Sequence, residues 1–374
     1  MKILITGAAG FFGKNLTTTL LFQGEHEIFQ ADVDTPEALL KAYCGDCDFV
    51  IHLAGVNRPK EQEEFLFGNR DALTKVLSYL EEAKNPVPVV LSSSIQAALE
   101  NPYGKSKLAG EEVLRAYGEK HNVPVYIFRF PNLFGKWSKP NYNSAVATFC
   151  HNVARGLPIT VNDPAAPLTL LYIDHAVSAV LSCLDGTVEV EEGFAIASGA
   201  IQTTVGQVAD IISAFPGERN RADVCNVGDP LVNQLYATYL SFLPPEDFAR
   251  PLIRHADHRG SFTELLHSPD RGQVSINVSK PGITKGNHWH HTKNEKFIVV
   301  SGEGLIRFVS ALGGPIYEYR VSGEDPQVVD IPTGYSHSIV NVGTTDLVTV
   351  MWANECFDPS RPDTIPMEVK DYGN

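Results

Sequence analysis

Residues 282–302 read GITKGNHWHHTKNEKFIVVSG. His288 and His290 are two positions apart, so on an extended strand both imidazoles project from one face. Glu295 follows after the polar stretch His291-Thr292-Lys293-Asn294. A further imidazole, His337, lies in the separate Pro- and Gly-punctuated stretch IPTGYSHSIVN. Imidazole nitrogens together with a carboxylate oxygen form a borderline ligand set suited to a divalent cation such as zinc. A solvated His-rich turn is the plain alternative. Against it, β-rich runs over 273–278 and 296–300 bracket the cluster and predict strands that would frame a barrel. His288, His290, Glu295 and His337 are therefore candidate metal ligands.

Outward from that stretch, short β-type runs recur over 260–266, 305–309, 316–321, 327–331, 338–342 and 347–352. Gly, Pro, Asn and Asp separate them, and helical periodicity is missing. About eight such runs predict a double-sheet barrel of jelly-roll type. Upstream, Pro244, Pro245 and Pro251 punctuate the chain, and the domain boundary is placed there. The expected domains are residues 1–245 and 246–374. A chain of 374 residues exceeds one ordinary core, which agrees with two domains.

Composition narrows the class. Hydrophobic residues make up 43% and charged residues 20%, as in a globular protein. A net charge of −14 argues against nucleic acid or an anionic membrane as partner. No apolar run approaches ~18 residues, so no membrane span is expected. The opening MKILITG reads as strand and turn, not as a signal peptide. Six scattered cysteines suit a reduced, cytoplasmic compartment. Cys44-Gly-Asp-Cys47 is a lone CxxC and reads as a loop before a strand.

The first half opens with a β-rich run, Lys2 to Thr6, that stops at Gly7-Ala-Ala-Gly10-Phe11-Phe12-Gly13 and continues as a helical pattern over 14–22. Strand, Gly-rich turn and helix predict a dinucleotide site in a Rossmann-type doubly wound parallel sheet. Gly7 permits the turn, Gly10 lets backbone approach a pyrophosphate, Gly13 lets helix pack on strand, and helix N–H groups face the phosphates. The next strand, over 26–30, is followed by Asp32 and Asp34. A carboxylate there suits a ribose 2′-hydroxyl and repels a 2′-phosphate. A buried strand over 48–53 ends at Leu53-Ala54-Gly55, where small residues let the backbone approach the adenine side of the cofactor, and Asn69 stands before a helix over 70–84.

A strand over 87–92 runs into Ser92-Ser93-Ser94, and Tyr103-Gly-Lys105-Ser-Lys107 follows on a helix reaching His121. Tyr103 and Lys107 are four apart and share a helical face. A free phenol has a pKa near ~10, and a neighbouring ammonium favours the phenolate. Tyr103 can then exchange a proton with a carbonyl oxygen while hydride moves at carbon, with Ser94 holding the same oxygen.

TGAAGFFG, HLAG, SSS, YGKSK, RFPNLFG and YID resemble the extended short-chain dehydrogenase/reductases over about 1–240. The resemblance implies catalytic Ser94, Tyr103 and Lys107, with Lys107 also on the nicotinamide ribose. It places Asn132 near substrate or nicotinamide and favours nucleotide-activated sugars as substrates. In the second half, Gly282-(x5)-His288-x-His290-(x4)-Glu295-(x6)-Gly302 and Pro332-x-Gly334-(x2)-His337-(x3)-Asn341 resemble the two cupin motifs. Pro326 stands where the second motif has Gly. A metal-free, sugar-binding cupin is the competing reading. Asp257-His-Arg259-Gly-Ser-Phe-Thr-Glu264, Gln273, Asn277 and Lys285-Gly-Asn-His288 look like the nucleotide-sugar 3,5-epimerases. That implies His288 as a base beside a ketone, Arg259 as a diphosphate clamp and Lys285 as a substrate contact. A surface salt bridge is the alternative for Arg259. His288 thus stands as both ligand and base.

Across HLAGVNRP, SSSIQA, NPYGKSKLAGE, PNLFGKW, KPNYNS, DRGSFTE and KPGITKGNHWHHTKNEKF, the chain resembles bifunctional capsular-polysaccharide enzymes that join such a reductase to a C-terminal cupin. The resemblance implies C3 epimerisation of a UDP-2-acetamido-2,6-dideoxy-4-ketohexose, then reduction of the C4 ketone with NADPH to a UDP-6-deoxy-talose derivative. A homodimer is expected. NADP is the expected cofactor, and NAD remains the alternative on the charge of Asp32 and Asp34.

Overall fold

Ile3, Leu4 and Ile5 have no solvent exposure, which is the signature of a strand covered on both faces. The computed structural model describes residues 1–57, 61 and 64–370, so Arg58-Pro59 at the end of HLAGVNRP lies outside the described residues. These residues divide into two compact units, Met1–Ser213 with Pro230–Pro244 and Ala214–Asp229 with Pro245–Asn374.

In the first unit, β1 (Lys2–Thr6), β2 (Glu27–Ala31), β3 (Phe49–His52), β4 (Val89–Ser94) and β5 (Val125–Phe130) form one sheet in the order β2-β1-β3-β4-β5. Every pair is parallel. Alternation along β1 feeds two cores. Ile3 and Ile5 pack with Leu16, Leu20, Ile173 and Val177 on one side, while Leu4 packs with Val50, Leu73, Leu80 and Leu114 on the other. The strand order reverses beside β1, so the glycine turn sits where doubly wound sheets place their ligands. A smaller sheet of Asn132–Phe134, Pro167–Tyr172 and Ile201–Thr204 lies beyond β5 in the chain.

The CxxC pair is not a loop. Cys44 lies in the helix Glu37–Asp46, and Cys47 caps its C-terminus. Burial pushes the Cys44 thiol up to about 11 and the Cys47 thiol up to about 12, so neither offers a thiolate near neutral pH. The Asn85 amide donates to both carbonyls, at 3.0 and 2.8 Å, and fixes the turn.

The second unit carries a six-stranded and a five-stranded sheet. Phe297, Val299, Val329, Ile331 and Leu347 from the first meet Ile306, Phe308, Val321 and Ile339 from the second in one core. Burial alternates along the first part of Glu303–Ser310, where Gly304, Ile306 and Phe308 are buried and Glu303, Leu305 and Arg307 less so. Strands Arg254–Asp257, Thr284–Trp289 and Ile365–Pro366 join those expected from sequence. The segment Ala214–Asp229, placed before the expected boundary, groups with this unit. Val224 N–H donates to the His267 carbonyl at 2.7 Å, and His267 N–H donates to the Ala222 carbonyl at 3.0 Å.

Candidate active sites

The first unit gathers its candidates at the carboxyl ends of β1, β3 and β4. Gly7 has φ +72°, and a Cβ there would lie 2.7 Å from the Ala54 nitrogen, so the turn packs backbone to backbone against residues 53–55. A Cβ on Gly13 would lie 2.2 Å from the Gly7 carbonyl oxygen, which is the close helix–strand approach expected of it. Phe11 packs against the core and Phe12 is buried in it, its ring 5.4 Å from that of Phe130. Only their backbone can therefore face a phosphate. Asp32 directly follows β2, and its Oδ2 accepts the Ala9 N–H of the glycine turn at 2.8 Å. Asp34 lies exposed in the turn beyond.

Helix Pro102–His121 starts at Asn101, whose Oδ1 accepts the Gly104 N–H at 2.8 Å. This cap sets Tyr103 in the first turn and Lys107 one turn on. Burial raises the Tyr103 phenol, and the Ser94 hydroxyl beside it pulls it back. Lys107 is buried. Its Nζ donates to the Ser92 carbonyl at 3.2 Å and lies 5.8 Å from the Tyr103 ring centroid. Burial drives its pKa down to about 8, opposed by Glu111. A Cβ on Gly55 would stand 2.8 Å from Asn69 Oδ1 and 3.0 Å from Lys107 Nζ, so that position leaves no room for a side chain beside them. Asn69 sits in a π-helical turn, Phe67–Asp71, and donates to Ser106 Oγ at 3.0 Å while its Oδ1 accepts the Val56 N–H at 3.1 Å. Asn132 is exposed and donates to the Thr169 carbonyl at 3.2 Å.

Sequence reasoning passed over Glu111, a further turn along the same helix. It is buried, accepts the Ser93 hydroxyl, and receives Arg129 through Nε at 3.0 Å and Nη2 at 2.7 Å. Arg129 in turn lies 4.1 Å from the Phe194 ring centroid. The spacing Tyr103, Lys107, Glu111 was the available signal, since all three fall on one helical face.

In the second unit, Thr284–Trp289 pairs with Tyr335–Asn341, and a register shift between Gly286 and His288 brings His288 opposite His337. Gly286 and Asn287 take φ +99° and +59° at that bulge. Glu295 opens a strand of the other sheet. Ligand atoms of His288, His290, Glu295 and His337 all lie within 4.8 Å of one another. Glu295 Oε2 is 3.5 Å from His290 Nε2 and 3.3 Å from His337 Nε2. Yet these three buried atoms have no hydrogen-bond partner, so they aim at a common point more than at each other. Such orphaned, converging donors fit a divalent cation. The His290 Nδ1–H donates to the Asp363 carbonyl, which leaves the Nε2 lone pair for that point.

His288 faces a cavity of about 660 Å³, which Glu295 and His337 also line together with Arg259, Asn277 and Lys285. Burial lowers its pKa to about 4, helped by His337 and His290, so its imidazole is neutral at pH 7. Lys285 Nζ donates to Asn277 Oδ1 at 2.6 Å and to the Val278 carbonyl at 3.0 Å. Arg259 lines the cavity but is half-exposed, and its Nη2 pairs with Asp257 Oδ2 at 2.7 Å. The surface salt bridge, the alternative reading of Arg259, is therefore present.

Residues 3–197 match the NAD dependent epimerase/dehydratase family, and residues 255–365 match the polysaccharide biosynthesis C-terminal domain. The capsular polysaccharide assembling protein CapF from Staphylococcus aureus shares 50% identity at a TM-score of 0.93, over 99% of this chain and 100% of that one. The chain belongs to the CapF family. A second structure from the CapF family, with the inhibitor 3-isopropenyl-tropolone, shares 46% identity at a TM-score of 0.87, over 99% and 100% of the two chains. A Pseudomonas aeruginosa protein, 42% identical over 99% of both chains, is named UDP-2-acetamido-2,6-beta-L-arabino-hexul-4-ose reductase. No helix among the described residues is long and apolar enough to cross a membrane.

Proposed function

We propose that the chain is a bifunctional nucleotide-sugar enzyme. The second unit, read as a cupin barrel, inverts C3 of a UDP-2-acetamido-2,6-dideoxy-4-ketohexose. The first unit then reduces the C4 ketone with NADPH to a UDP-N-acetyl-6-deoxy-L-talosamine, on the way to UDP-N-acetyl-L-fucosamine for capsular polysaccharide. The observation that carries the reading is the Ser94, Tyr103 and Lys107 arrangement at the end of β4 in a chain that matches a named 4-ulose reductase along its length.

Bound NADPH supplies the hydride. The glycine turn and the start of helix Phe11–Gln23 hold the pyrophosphate, Asn69 and Gly55 border the nicotinamide side, Gly55 by its approach to Lys107 and against the adenine side expected of it, and Asn132 contacts substrate. Ser94 donates a hydrogen bond to the C4 oxygen, and Tyr103 gives that oxygen its proton. Lys107 keeps a positive charge beside the phenol and binds the ribose. NADH is the alternative cofactor, favoured by the Asp32 carboxylate at the glycine turn.

In the second unit the ketone at C4 acidifies the C3 proton, neutral His288 removes it, and a solvent-derived proton returned to the opposite face of C3 completes the inversion. Lys285 has three N–H donors and spends two on Asn277 and Val278, so one is left for the developing C4 oxyanion. Arg259 holds the diphosphate. A divalent cation, zinc as the first choice, held by His290, Glu295 and His337, with His288 as an optional fourth ligand, supplies Lewis acidity or rigidity. Epimerisation precedes reduction, since reduction abolishes the acidity at C3.

The second reading is a 4-epimerase or reductase carrying a sugar-binding barrel without chemistry. Incubating the chain with a UDP-4-keto sugar in D2O separates them. Deuterium at C3 without added nicotinamide supports the epimerase. Turnover with NADPH but no C3 label supports the second reading and contradicts the first.

A further inference from the structure

The segment after Asn354 carried no expectation from its sequence, yet it lies along the His cluster. Ile365–Pro366 pairs with Trp289 and His288. Met367 N–H donates to the Asn287 carbonyl at 2.9 Å, and Val369 N–H donates to Asn287 Oδ1 at 3.1 Å. Asp363 makes the densest set of bonds. Its Oδ1 accepts the His291 N–H at 2.9 Å. Its Oδ2 accepts the Thr292 N–H at 2.7 Å, the Thr292 hydroxyl at 3.0 Å and the Lys293 N–H at 3.0 Å. Its backbone carbonyl accepts the His290 Nδ1–H.

These bonds act on one turn from two sides. His290 precedes the turn and Glu295 follows it. A carbonyl can only accept, so the Asp363 carbonyl forces the proton onto Nδ1 and leaves the His290 Nε2 lone pair for the point shared with Glu295 and His337. The carboxylate collects three successive N–H groups, which fixes the path of the turn and with it the separation of His290 and Glu295. Asp363 is not among the converging ligands, because its oxygens are engaged by the turn.

We propose that Asp363 is a positioning residue for the metal site, fixing the His290 tautomer through its carbonyl and the turn at 291–293 through its carboxylate. The proposal rests on the reading of His290, Glu295 and His337 as ligands. Outer partners of metal-bound imidazoles typically change affinity by about 10–100-fold.

The test titrates zinc into the metal-stripped full chain against a chromophoric chelator. Asp363→Asn sets an amide NH2 against backbone N–H groups. Zinc affinity should fall by about 10–100-fold at unchanged stoichiometry. Glu355→Gln alters the other carboxylate on the Thr292 hydroxyl, 3.2 Å away, without touching the turn backbone, and should bind zinc as the parent does. Thr292→Val removes one bond to Asp363 and should give a smaller loss; it also replaces Asp363→Asn if that variant does not fold. Parent-like affinity in the folded Asp363→Asn chain overturns the proposal. So does an equal loss in Glu355→Gln, or parent-like affinity in Thr292→Val when it stands in. A parent chain that takes up no zinc removes the ligand reading itself, and the proposal with it.

Discussion

In the first unit, Tyr103, Lys107 and Glu111 climb one helix at four-residue steps, and Ser94 ends the strand beside it. In the second, His288, Glu295, His337 and Asp363 come from four separate segments, and both sheets contribute. One site is built by helical period, the other by register between strands distant in sequence. The difference has an energetic side. In the helical site the buried Lys107 has partners, the Ser92 carbonyl oxygen and the charge of Glu111, which partly offset the cost of its burial. The site in the second unit leaves three buried polar atoms converging without partners, an arrangement that costs stability until a cation satisfies them.

The sharpest way to break the comparison is His288→Gln. Loss of a general base costs about 10²–10⁴-fold, so C3 exchange should fall by that much. NADPH oxidation on an already epimerised ketone should stay near the parent rate. Zinc content separates the two roles of His288: full metal with lost exchange marks the base, whereas lost metal marks a ligand.

A smaller effect comes from the clamp under the reductase site. Glu111→Ala strands Arg129, whose side chain is 27% exposed, and frees Ser93. Removing one partner of a buried pair costs about 3–5 kcal/mol, and the partial exposure of Arg129 places this case at about 3. Urea unfolding followed in the first unit should register it, with zinc affinity unchanged.

The smallest effect is on pH. Lys107 is cationic below its folded pKa of about 8 and neutral above it. Reductase turnover should therefore fall as pH rises through about 8, while C3 exchange at the other site does not follow that limb. A flat reductase profile up to the ordinary lysine range would contradict the role given to Lys107.

Much of this was legible in the sequence because the signals were local. The glycine turn announced itself by spacing and flanks, and Tyr103 with Lys107 by helical period. His288 and His290 were legible as a same-face pair. The strand that carries His288 was not, because Gly286 and Asn287 read as punctuation while the structure uses them as a bulge. Arg254–Asp257 is exposed at all four positions and shows no alternation, so it carried no strand signal. Cys44 and Cys47 looked like a loop because Gly45 sits between them, whereas the helix simply ends there. Asp363 was invisible for a different reason. Its role depends on a contact about 70 residues away in the chain, and no periodicity encodes that.

The central claim is a division of labour between the two units, and Tyr103→Phe tests it most directly. The variant is incubated with a UDP-4-keto sugar in D2O, with and without NADPH, and C3 deuterium and NADPH oxidation are followed together. The account expects C3 exchange at the parent rate and NADPH oxidation reduced by about 10²–10⁴-fold. Loss of C3 exchange in Tyr103→Phe, or NADPH oxidation that survives it, would contradict the account.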